Sequence, residues 1–234
     1  MTPDGVEIAW IPLGAGARTP TVRLSGRLYE RLAATREHRP VAALVHAALL
    51  LGAERGSWTV EVAPAWGPGS RGPGVCATGP VGSRLLGRAR VFRYEVRRWR
   101  DGVVPDLPWA LVRRRLAADD TAARDVLDRL DDVPVLTWGR DEHRHGDMWN
   151  SNSVVAWVLA ASGVDLAAAA PPPGTRAPGW AAGLEEAGFR DSNDSLGAVL
   201  MRMGVFRDSN DSLAAVGDPD GRVPRQQRLP RSRG

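Results

Sequence analysis

Lysine is absent from this chain: all 31 of its basic residues are arginine, set against 27 acids. With its wealth of alanine, glycine and proline, that bias reflects a GC-rich coding sequence rather than a chemical requirement. Cysteine occurs once, at Cys76, which excludes an intramolecular disulfide and any cysteine-based metal site. No stretch reaches the roughly 18–20 uninterrupted apolar residues that cross a bilayer. Met1-Thr2-Pro3-Asp4-Gly5 lacks the basic and apolar pattern of a leader, so no membrane association is expected and a cytoplasmic, reduced protein is. Tyrosine and phenylalanine are scarce, at 2 and 3, while the 9 tryptophans are expected in the core or lining a cleft.

The formal charge of +4 is a property of one end. Residues 221–234 hold five arginines and no acid, and without them the charge is −1. The body therefore gives no electrostatic case for nucleic acid. Phe189-Arg190-Asp191-Ser192-Asn193-Asp194-Ser195-Leu196 recurs as Phe206-Arg207-Asp208-Ser209-Asn210-Asp211-Ser212-Leu213. Two copies are too few for a solenoid. The division expected is one domain over 1–183 and a duplicated, Arg-rich, disordered tail over 184–234. Asp191, Asn193 and Ser195 superficially resemble a calcium loop, but Leu196 stands where glycine is needed and Arg202 where glutamate is.

Within the body, strands are expected over 6–13, 42–51, 57–63 and 88–99, the second and third forming a hairpin. Ser25 is read as the cap of a helix reaching about Glu37, with Leu24, Leu28 and Leu32 along one face. Two short helices are expected over about 108–117 and 120–131, the second capped by Asp119-Asp120-Thr121. Residues 67–82, with six glycines and three prolines, read as a flexible connection. Asn150-Ser151-Asn152-Ser153 then opens the apolar run Val154–Ala161, a buried helix over about 151–162 with a chemically dense N-terminus. The fold class expected is α+β, a small antiparallel sheet packed against that helix.

Three groups of residues carry candidate chemistry. Asp141, His143, His145 and Asp147 alternate in a loop and offer metal-type donors, but Arg140 and Arg144 interleave with them; a solvated loop is expected, with no metal and no cofactor. His46 lies inside an apolar strand, where an imidazole needs a partner, and Glu61 on the neighbouring strand is placed to orient it. Asn150, Ser151, Asn152 and Ser153 supply hydroxyls and amides at a helix start, where the dipole favours an anion or an activated nucleophile.

His46 before a short apolar strand, then Val60-Glu61-Val62-Ala63-Pro64, then a later helix with an Asn-rich opening resembles the circularly permuted papain-like fold. That superfamily includes NlpC-type peptidases and lecithin retinol acyltransferase relatives. Arg93–Gly102 and Asn150–Ser153 more closely resemble uncharacterised actinobacterial proteins and a bacterial domain with an Asn-Ser-Asn-Thr motif. The resemblance covers about residues 5–183. It implies a hydrolase or acyltransferase site with His46 as base, Glu61 as its orienter, Ser151 or Ser153 as nucleophile, and Asn150 or Asn152 stabilising charge. Active members use a cysteine where this chain has serine, a weaker nucleophile at neutral pH. The alternative is a non-catalytic protein that binds a small molecule or peptide in the same cleft.

Overall fold

The computed structural model describes residues 5–16, 21–53, 56–65 and 74–188. The duplicated segment and the Arg-rich end lie outside the described residues. Six strands form an open antiparallel sheet: β1 (Gly5–Pro12), β2 (Ala43–Ala53), β3 (Gly56–Pro64), β4 (Val75–Pro80), β5 (Arg93–Arg100) and β6 (Val112–Ala117). Their spatial order is β4-β5-β3-β2-β1-β6. A two-residue strand, β7 (Thr175–Arg176), pairs parallel with the first residues of β2. Among the described residues there are four α-helices: α1 (Thr21–Arg36), α2 (Asp120–Arg129), α3 (Ser151–Ala161) and α4 (Trp180–Glu186). None is long and apolar enough to cross a membrane.

The alternation of the strands gives the sheet two different faces. On one, Ile8 and Trp10 of β1, Val45, Leu49 and Leu51 of β2, Val60 of β3 and Val96 of β5 form a core with α2, α3 and α4. Helix α3 enters this core with Val154 through Leu159 all buried, each of the larger side chains contributing about 1.5–3 kcal/mol by leaving water. Trp10 packs against Trp180 with ring centroids 5.0 Å apart and planes tilted by 54°, which holds the first turn of α4 in place. Helix α4 also lies so close to α3 that a Cβ at Gly183 would overlap the carbonyl of Ser153. On the other face, Ala9, Ile11, Ala48 and Leu50 are covered by Val104, Leu107 and Ala110 of the loop between β5 and β6.

Several sequence expectations need correction. Residues 108–117 are not a helix: a single 3₁₀ turn, Leu107–Trp109, leads into β6. Two of its three consecutive arginines find partners there, Arg113 bonding Glu7 of β1 and Arg114 the carbonyl of Ala170. The glycine-rich stretch contains β4, paired with β5, so Cys76 is a strand residue. Residues 86–92 form two 3₁₀ turns, and the following strand is confined to Arg93–Arg100. Ser25 lies inside α1, and Leu24, Leu28 and Leu32 are each more than half exposed. The inward stripe of α1 is instead Gly26, Glu30 and Ala34. Glu30 decides that rotation: its carboxylate accepts from Arg39, from Arg176 and from the Ala42 N–H at 2.8 Å, fastening the helix to the start of β2. The boundary expected at 183 falls inside α4.

The feature that shapes the site is a split in the sheet. β3 pairs with β2 only from Leu49 to Ala53, after which residues 61–64 follow β5 alone. β7 takes up the first residues of the β2 backbone that β3 leaves, and one side chain takes up the stretch from Val45 to Ala47. Asn152 Oδ1 accepts from the Ala47 N–H at 2.9 Å, while its Nδ2 donates to Val45 O at 3.2 Å and Pro178 O at 2.9 Å. Replacing it with leucine, similar in volume, strands two buried backbone groups, the Ala47 N–H and Val45 O, at about 1–3 kcal/mol each, while Pro178 O keeps its bond from Asn150. Urea unfolding of Asn152→Leu is expected to show a loss of roughly 3–5 kcal/mol; a loss below 1 kcal/mol is incompatible with this bracing role.

Candidate functional site

The split between β2 and β3 opens into a cavity of about 650 Å³. Its lining joins residues from both sides of the sheet: His46, Glu61 and Trp99 from the strands, Asp106 from the covering loop, and Ser151 from the first turn of α3. His46 is on the loop-covered face because it shares parity with Ala48 and Leu50, while Ser151 reaches the same space from the helical layer through the gap.

His46 Nε2 lies 2.8 Å from Asp106 Oδ2, and both side chains are half-buried. Burial pushes the Asp106 carboxyl up, but the hydrogen bond and charge of His46 outweigh it and hold the group below its ordinary range. A carboxylate at Nε2 fixes the proton on that nitrogen and leaves Nδ1 as the basic atom. Glu61, expected to orient the imidazole, instead accepts from Trp99 Nε1 at 3.1 Å. The carboxylate bonded to the imidazole is therefore that of Asp106. It was missed because it lies 60 residues from His46; Pro105-Asp106-Leu107-Pro108, an acid held between prolines, was the available signal.

The four residues at the helix start divide into one that faces the cavity and three that build the turn. Asn150 caps α3, its Oδ1 accepting from Asn152 N at 2.8 Å and its Nδ2 donating to Pro178 O at 2.9 Å. Asn152 is committed to β2. Ser153 Oγ accepts from Asn150 N at 2.9 Å and donates towards Gly179 O at 2.7 Å, with Met148 O at 3.1 Å; its side chain is fully buried. Neither asparagine amide and not Ser153 is free to act on a bound molecule. Ser151, at the first helical position, is partly exposed and lines the cavity, under the positive end of the α3 dipole. No hydrogen bond joins Ser151 to His46.

The Asp141–Asp147 loop is rearranged relative to expectation. Asp141 accepts from the N–H groups of His145 and Gly146, and Asp147 from those of Met148 and Gly179, the last at 2.6 Å. Burial raises the Asp147 carboxyl to about 6, with the two N–H bonds pulling partly against it. Both acids thus shape backbone, and the two histidines turn to Glu186 of α4.

This division of labour among the serines is testable by stability alone. Ser153→Ala leaves buried donors and acceptors unpaired and is expected to cost about 1–3 kcal/mol, whereas Ser151→Ala should stay within about 0.5 kcal/mol of the parent in thermal or urea unfolding. Equal costs at the two positions contradict the assignment. No protein-family model, no curated protein and no solved structure matches this chain.

Proposed function

We propose that the chain is a serine-dependent hydrolase or acyltransferase, a variant of the permuted papain-like plan in which Ser151 takes the place of the cysteine nucleophile. One observation carries this reading: Ser151 at a helix N-terminus and the His46–Asp106 pair line the same cavity. His46 Nδ1 acts as general base towards the Ser151 hydroxyl, Asp106 holds the ring and stabilises the imidazolium that forms, and the helix dipole favours the developing oxyanion. The proton taken from Ser151 passes to the leaving group when the acyl-enzyme forms. Water or a second acceptor then resolves the ester. The apolar side of the cavity, with Val62, Val155 and Trp99, suits an acyl chain or an apolar side chain more than a phosphate.

The absence of a hydrogen bond between Ser151 and His46 favours a second reading, in which the cavity binds a small molecule or peptide without turnover. The two separate in one experiment on the full-length protein. Chromogenic esters, thioesters and anilides are screened with the parent, Ser151→Ala, His46→Ala and Asp106→Asn, each checked for folding by circular dichroism. Hydrolysis that falls about 10²–10⁴-fold in both Ser151→Ala and His46→Ala supports catalysis. Asp106→Asn should lower kcat with little change in KM. Activity that survives Ser151→Ala, or covalent labelling by a fluorophosphonate at any residue other than Ser151, sinks it. Saturable binding of the same compounds with no turnover by the folded parent establishes the second reading.

A further inference from the structure

Outside the cavity, one cluster of side chains has the composition and convergence of a metal centre. His143 Nδ1 lies 2.6 Å and His145 Nε2 3.0 Å from the same oxygen, Glu186 Oε2, and the three ligand-type atoms lie within 4.8 Å of one another. We propose that His143, His145 and Glu186 bind a divalent transition-metal ion, with Zn²⁺ the best match to two imidazoles and one carboxylate.

The donor chemistry argues for a cation rather than a simple hydrogen-bonded trio. Two imidazole nitrogens aimed at one carboxylate oxygen each need a proton to bond it, and a divalent ion replaces both protons at once. Tetrahedral zinc with bonds of ~2.0–2.1 Å separates its ligands by about 3.3–3.4 Å, so His145 and Glu186 have to part by about 0.3–0.4 Å and the more exposed His143 has to draw back from Glu186 by about 0.7–0.8 Å. The imidazoles are held in place from outside the cluster. Asp141 accepts from the backbone of His145 and Gly146, and Arg144 between the histidines takes a left-handed φ of 61°, so that both rings meet Glu186. The rings themselves sit edge to face at 5.7 Å. His145 and Glu186 are largely shielded while His143 is 44% exposed, which leaves the ion open to water or a further ligand on that side.

An ion there ties the loop leading into α3 to the last turn of α4. It needs neither His46 nor Ser151 and so stands apart from the catalytic proposal. The test is titration of the chelator-treated full chain with ZnCl₂ at pH 7.5 by calorimetry, followed by Co²⁺ with its visible absorption. One equivalent is expected to bind, with visible Co²⁺ bands typical of four- or five-coordination. Affinity should drop at least tenfold in His143→Ala, His145→Gln and Glu186→Gln, and be unchanged in His46→Ala. His143, being exposed, can be replaced without threat to folding, so its variant decides the matter if the other two unfold. No binding by the parent, an affinity unaltered in His143→Ala, or binding abolished by His46→Ala overturns the proposal.

Discussion

Asn152 is the constraint on which the rest of the structure depends. A sheet strand cannot end its pairing inside a protein without leaving N–H and C=O groups that have lost water and gained nothing. β2 has no β3 partner before Leu49; β7 takes Ala43 and Leu44, and a single primary amide, with one acceptor and two donors, meets the backbone of Val45 and Ala47 while also holding the segment before α4. Because the same residue is the second of α3, this bond sets how deeply the helix start is seated against the sheet. The cavity exists because β3 departs, and it stays open because beyond the two residues paired with β7 an asparagine, rather than a strand, meets the edge.

The sequence showed much of this where periodicity was strong. The β2–β3 hairpin, β1, β5 and the uniformly apolar α3 are all legible from short-range pattern, and Asp119 announces α2 by accepting from the Ala122 N–H. Long-range partnering was not legible. β6 reads as helix locally because Arg113-Arg114-Arg115 shows no apolar alternation; its strand state depends on β1, more than a hundred residues earlier. In α1 the leucines are spaced four apart but so are Gly26, Glu30 and Ala34, and only the ion pairs of Glu30 choose between the two stripes.

Sequence reasoning singled out His46 and Ser151, which the structure places on one cavity, but could not see which polar neighbours were committed to the fold. Asparagine and serine look alike as candidate chemistry whether they touch a ligand or a backbone, and the difference lies in where their hydrogen bonds go. Asn150, Asn152 and Ser153 have all of theirs spent within the fold. Glu61 is close in register but turned to Trp99, whereas Asp106 comes from a loop whose apolar residues Val104 and Leu107 seal the second face of the sheet. The acid that bonds His46 is thus placed by packing, which no spacing rule in the sequence encodes.

Among the described residues β4 and β6 are the outermost strands of the sheet, and their composition bears on how the molecule behaves in company. β6 presents Arg113 and Arg115 outward, and β4 is six residues long and ends in proline. A further strand arriving at either side would meet guanidinium groups or a missing donor. Among the described residues, both outer strands thus carry features that oppose edge-to-edge growth of the sheet.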